Sequence, residues 1–140
     1  LNMTEKYYFD TSIWLDFIEY RDEPNLPKGK WAHELINKII KMDAKLLYSD
    51  HNLIELEVAG YSSYEIDNIF SKIKSILVFV ESTEKQFGKA KDLSLKRNIP
   101  KGDALHSLIA RDNKAILVTL DKHFRKLEDI AKPNRPQDLI

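Results

Sequence analysis

The sequence contains no cysteine. That excludes disulfides and thiolate chemistry and fits a reducing compartment. It has no long hydrophobic stretch either: the longest apolar run, Ile76 to Val80, is far too short to span a bilayer. No charged-then-apolar leader opens the chain, so no signal peptide is expected and a cytoplasmic protein is. Met3 is read as the native start, with Leu1 and Asn2 added ahead of it. An excess of one charge is missing as well, since 22 basic residues balance 22 acidic ones. This argues against a protein that coats nucleic acid non-specifically, but not against a nuclease with a local basic rim. Repeats, low-complexity tracts and linkers are absent. So are several reaction signatures: a His-x-x-x-His pair for zinc, a Gly-x-Ser-x-Gly turn for acyl transfer and a Gly-x-x-x-x-Gly-Lys loop for nucleotides.

What is present fits one soluble domain over residues 1–140, long enough for a real core. Lys6 to Phe9 reads as a short strand with Asp10 at its carboxyl end. Thr11 and Ser12 then start a helix with Ile13, Trp14, Phe17 and Ile18 on one face and Asp16 and Glu19 solvated on the other. Arg21 to Gly29 is a loop, and a helix from about Lys30 to Lys41 carries Trp31, Leu35, Ile36 and Ile39. Lys45 to Tyr48 is strand-like. Ser49 and Asp50 cap a helix from His51 to Ala59 that is apolar nearly all round and ends at Gly60. Ser62 and Ser63 cap another helix. Ile76 to Val80 has the pattern of a strand buried on both faces of a parallel sheet. Thr83 caps a long Lys-rich helix. Pro100 and Gly102 break the chain, and Asp103 opens a short helix striped by Leu105, Leu108 and Ile109. Ala115 to Val118 is a strand, and Lys132 to Ile140 is a tail. The alternation predicts an α/β fold, a parallel central sheet of four to five strands sandwiched between helices.

In such folds a site collects at the strand carboxyl ends. Asp10 and Asp121 fall there directly, and Glu55 and Asp103 reach the same edge from the helices that follow. A carboxylate among apolar residues, as Glu55 is, needs a cation, a donor or a wet cleft. Four hard oxygen ligands point to Mg²⁺ or Mn²⁺, and two such ions about 3.5–4 Å apart suit phosphodiester hydrolysis. The plain alternative is that Asp103 and Asp121 are only helix N-caps.

Phe9-Asp10-Thr11-Ser12, Ser49 with Glu55-Leu56, Asp103-Ala104-Leu105 and Thr119-Leu120-Asp121-Lys122-His123-Phe124 resemble, in order, the four motifs of the PIN-domain nucleases. The ending Pro136-Gln137-Asp138-Leu139-Ile140 is also similar to that family's. The resemblance implies a metal-dependent endoribonuclease. In a chain of this size it implies the VapC-type toxin subgroup of type II toxin–antitoxin systems, with an RNA substrate, a cognate antitoxin and a homodimer. It makes Asp10, Glu55, Asp103 and Asp121 the metal-binding acids, with Glu57 the fallback for Glu55. Asp103 also orients the attacking water. Thr11 or Ser12 supports the first acid, and Thr119 precedes the fourth. A non-catalytic PIN-like module for RNA or protein, and an RNA-maturation nuclease that is not a toxin, stay open as alternatives.

His106 and Ser107 depart from the toxin pattern, which has small apolar residues there. His106 is either a donor to a carboxylate or phosphate, or an incidental histidine with a satisfied hydrogen bond. His51, four residues before Glu55, faces the cleft or serves the first helical turn. His123 is expected to point to solvent. Lys85, Lys89, Lys91, Lys96, Arg97 and Lys101 form a basic flank, read as a solvated face or as a phosphate-tracking rim, with Lys96, Arg97 and Lys101 as the substrate-binding candidates. Trp14 and Trp31 are core or interface aromatics.

Overall fold

The structure, a computed structural model, describes residues 4–140. The reading of Met3 as the native start lies outside the described residues. Five strands, β1 (Lys6–Phe9), β2 (Lys45–Ser49), β3 (Leu77–Val80), β4 (Ile116–Val118) and β5 (Pro133–Asn134), form one sheet in the order β3-β2-β1-β4-β5. Every pairing is parallel. Six α-helices flank it: α1 (Thr11–Glu19), α2 (Lys28–Lys41), α3 (Asp50–Val58), α4 (Ser63–Ser71), α5 (Glu84–Arg97) and α6 (Lys101–Asp112).

Strand periodicity divides the core. Tyr7, Phe9, Leu46 and Val118 point into a cluster with Ile13, Trp14, Leu35, Ile36 and Phe70. Their neighbours Tyr8, Leu47 and Leu117 point the other way, into a cluster with Leu93, Leu105, Leu108 and Phe124. Successive side chains alternate faces, so a strand covered by helices on both sides must be apolar throughout. Tyr7 to Phe9 of β1 and Leu46 to Tyr48 of β2 come near that demand, each strand being paired on both sides.

β3 is not so paired. It is the outer strand, paired only with β2, and Val78 and Phe79 are 39% and 47% exposed. Its unbroken apolar run imitates an interior strand, and nothing in the run reveals the edge position. The tail contains the opposite edge. Pro133 and Asn134 pair with Leu117 and Val118, an edge being where a residue without an N–H is tolerated.

Three further expectations fail. Asp16 is buried rather than solvated, and Arg21 reaches it at 3.0 Å; burial still pushes its pKa up. α3 is not covered all round, since Ile54 and Val58 are exposed and only Leu56 of its apolar residues is fully buried. Gly102 lies inside the first turn of α6 instead of breaking the chain. A Cβ there would stand 3.1 Å from His51 Nε2 and 3.4 Å from Glu55 Oε2. A glycine thus lets α6 start hard against α3. Trp14 is core, as expected, while Trp31 is half-buried.

Candidate active site

β1 and β4 end side by side, and the Asp10 N–H donates to Val118 O at 3.1 Å beyond the last strand pair. Asp10 then turns the chain into α1 as its N-cap, accepting the Ile13 N–H at 3.1 Å. The same oxygen accepts the Ser12 hydroxyl at 2.9 Å. The other accepts the Thr119 hydroxyl at 2.6 Å. Asp10 is buried, which raises its pKa, with the Thr119 hydrogen bond opposing most strongly. Of the two hydroxyls expected to support it, Ser12 does so. Thr119 does more than precede Asp121, because it ties the ends of β1 and β4 together.

α3 is set on this edge by its first turn. Ser49 and Asn52 cap each other reciprocally, and the Asn52 amide donates to Phe9 O at 3.2 Å and Thr11 Oγ1 at 3.0 Å. Thr11 in turn donates to Glu55 Oε1 at 2.6 Å. His106 Nε2 lies 2.5 Å from the same oxygen, and His51 Nε2 lies 3.5 Å from it. Among the described residues these contacts go to Glu55 and not to Glu57, which is exposed. Burial would raise the Glu55 pKa, but the hydrogen bond and charge of His106, with Thr11 and His51, hold it down at about 2. His106 is itself buried, its Nδ1 2.6 Å from the Tyr8 hydroxyl, which lies 2.8 Å from Ser49 Oγ. Its Nε2 thus faces a carboxylate and its Nδ1 a hydroxyl.

Asp103 is the third residue of α6, whose N-cap is Pro100. The N-cap reading of Asp103 is thus excluded, and its carboxylate is left for other work. Its Oδ2 is shielded from solvent and has no hydrogen-bond partner among the described residues. Burial, then the charges of Asp121 and Asp10, push its pKa up to about 6. Asp121 does cap, accepting the His123 N–H at 2.9 Å at the start of a 3₁₀ helix over Lys122–Leu127. Its own N–H donates to Thr119 Oγ1 at 3.0 Å. The half-exposed His123 ring does not simply face solvent: Nδ1 is 3.3 Å from Asp103 Oδ2 and 3.2 Å from Asp121 Oδ1.

The four acids thus meet at one sheet edge, but in two groups. Glu55 is held by His51 and His106, while Asp103 and Asp121 share His123. Asp10 links them, since its carboxylate feels the charge of His106 and Asp103 feels that of Asp10. Each group offers at least three ligand atoms within 4.8 Å of one another. An orphaned carboxylate oxygen and a raised carboxyl pKa are what a missing cation leaves behind, so the donor set fits a divalent ion.

The basic flank is only partly available. Arg97 pairs with both oxygens of Asp129 at 2.7 and 2.9 Å and with Lys126 O at 2.8 Å, while Lys96 and Lys101 are exposed. Tyr8 and Asn52 escaped the sequence reading. Asn52 carried a signal, three positions after a helix-capping Ser49; Tyr8 carried none, since a strand tyrosine beside an acid is ordinary.

A family model described as the PIN domain matches residues 7–130. Among solved structures, VapBC2 from Rickettsia felis, bound to a DNA fragment from its promoter, matches with a TM-score of 0.66 and 17% identity, covering 93% of this chain and 98% of that one. A toxin–antitoxin complex from Klebsiella pneumoniae matches with a TM-score of 0.65 and 14% identity over 93% and 97% of the two chains. At such identities the likeness is one of fold. No curated protein sequence matches the chain.

Proposed function

The chain belongs to the PIN-domain family, a family of nucleases, and from that premise we propose that it is an endoribonuclease dependent on Mg²⁺ or Mn²⁺. Its site comprises Asp10, Glu55, Asp103 and Asp121 within a single domain over 1–140. The observation that carries this reading is Asp103: a carboxylate oxygen shielded from solvent, without a hydrogen bond among the described residues and with only the His123 ring near it at 3.3 Å, and a pKa raised to about 6 beside two further acids. Such a group destabilises a fold unless a cation serves it. Asp10, Asp103 and Asp121 would hold the ion, with Glu55 at the margin. When bound, the divalent ion neutralises these acids and polarises the phosphoryl oxygen of the substrate.

The chain's own residues do the rest. Ser12 and Thr119 fix both oxygens of Asp10, so this acid does not turn away between substrates. Asp103 Oδ2 orients the attacking water and takes up its proton as the phosphodiester bond breaks. RNA approaches along a cleft of about 450 Å³ that adjoins Asp121 and is lined by Lys122, Arg125, Lys132 and Arg135. These cations attract phosphates locally in a molecule of zero net charge.

The chain further reads as the toxin of a toxin–antitoxin pair, a cytoplasmic protein acting as a homodimer. What supports this is the fold shared with the two toxin–antitoxin structures. Among the described residues no helix is long and apolar enough to cross a membrane. Cleavage of single-stranded RNA tests the reaction. Activity is expected with Mg²⁺ or Mn²⁺, lost with EDTA and lost in Asp10→Asn. Equal cleavage by wild type and variant would refute the site. Co-purification with the product of a neighbouring small reading frame tests the toxin assignment; a chain that leaves that product behind is not its toxin.

A further inference from the structure

Glu55 is not surrounded as an acid in an oxygen-only centre would be. Two imidazole nitrogens flank it, His106 Nε2 at 2.5 Å and His51 Nε2 at 3.5 Å, and the two rings lie 4.6 Å apart. His51 and Glu55 stand four apart on α3, hence on one helical face. His106 comes across from α6, brought close by Gly102. We propose that His51, Glu55 and His106 form a second, nitrogen-containing metal subsite that takes a divalent transition ion of borderline softness, such as Zn²⁺ or Co²⁺, in preference to Mg²⁺.

Three observations carry this beyond proximity. His106 is oriented from behind. Its Nδ1 lies 2.6 Å from the Tyr8 hydroxyl, which continues to Ser49 Oγ at 2.8 Å, and both partners are buried. A ligating histidine is held in this way by a partner on its other nitrogen, which fixes the ring and its tautomer. His51 Nε2 is shielded from solvent and has no hydrogen-bond partner among the described residues. A ring nitrogen that no protein hydrogen bond engages is free to meet an ion. The separations also suit an ion. Ligands at about 2.1 Å around a tetrahedral centre lie about 3.4 Å apart, close to the 3.5 Å between His51 Nε2 and Glu55 Oε1. The shorter contact to His106 is that of a shared proton, which an entering ion displaces. Glu55 has room to turn, its side chain being 37% exposed.

Two imidazoles and one carboxylate, with a further position open to water, are a ligand set for Zn²⁺ and its neighbours. Mg²⁺ prefers oxygen throughout and dehydrates reluctantly. The subsite shares only Glu55 with the proposed catalytic acids and does not depend on RNA cleavage.

Titration of the full chain with Co²⁺, followed by its visible absorption, tests the inference. The first equivalent is expected to bind with the intense band of a four- or five-coordinate site containing nitrogen, and Zn²⁺ should abolish the band by displacement. His51→Ala and His106→Gln should each weaken binding at least about tenfold, while Asp103→Asn keeps the band. A band unchanged in His51→Ala overturns the proposal, as does a band lost in Asp103→Asn or the weak spectrum of an all-oxygen site. If His106→Gln fails to fold, His51→Ala decides alone, because His51 is half-buried in the first turn of α3 and outside the apolar core. Failure of the nuclease reading would show separately, as metal-independent cleavage or as none.

Discussion

At the scale of single residues, the site works by contrast between carboxylates. Glu55 is paired and its pKa is low, whereas Asp103 is crowded by burial and like charge and its pKa is high. The sign of the Asp103 effect on stability follows. Its folded pKa of about 6 exceeds the ordinary value of about 3.9. The folded state therefore holds the proton more tightly than the unfolded state, and metal-free stability falls as pH rises from about 4 through about 6. Asp103→Asn removes that penalty. Thermal melts in EDTA should show the variant more stable than wild type at pH 8, by on the order of 2 kcal/mol, with the gap closing near pH 4. A constant gap would mean that Asp103 is not strained. Thr119 bears on two partners at once, Asp10 Oδ2 and the Asp121 N–H. Thr119→Val should cost about 1–3 kcal/mol by leaving a buried acceptor unpaired. It should also reduce RNA cleavage, whereas Thr119→Ser keeps the hydroxyl and retains most of both. Equal losses in the two variants would assign the effect to packing.

At the scale of elements, close approaches set where helices begin. A Cβ on Gly29 would stand 2.5 Å from the carbonyl carbon of Tyr20 and 2.6 Å from its Cα, backbone atoms that cannot step aside. Gly29→Ala should therefore destabilise by about 1–3 kcal/mol in denaturant melts, as overpacking does. An unchanged midpoint would show that α2 shifts freely. The same packing explains what could be read in advance. Asp10, Ser49, Ser62 and Thr83 all mark helix starts in the structure, because a capping oxygen meets a local need of the backbone and leaves a local signal. The interior strands β1 and β2 announced themselves by short aromatic and aliphatic stretches, Tyr7 to Phe9 and Leu46 to Tyr48. Tertiary position leaves no such mark. The apolar run of β3 lies at an edge, β5 is two residues beginning with proline, and Asp16 is buried because Arg21 folds back onto it five positions later. Within the site, spacing brought the four acids into view. For His51 and His106 the sequence left a site role and an ordinary one side by side, and their contacts with Glu55 appear only where α3 and α6 meet across Gly102.

At the scale of the whole molecule, a parallel sheet brings acids from four separated stretches to one edge. A cleft lined by Lys122, Arg125, Lys132 and Arg135 together with Asp121, Glu128 and Asp138 adjoins that edge in a chain that carries no net charge. On the proposed reading, a bound ion restores the stability that the gathered carboxylates cost, which is linkage between metal binding and folding. The most direct measurement is the melting temperature at pH 7.5 as Mg²⁺, an ion that imidazoles attract poorly, is raised to millimolar concentrations. Wild type is expected to gain several degrees, while Asp10→Asn and Asp103→Asn, both folded, gain little. An equal rise in all three proteins, or none in wild type, would contradict the claim that these acids form one divalent-ion site.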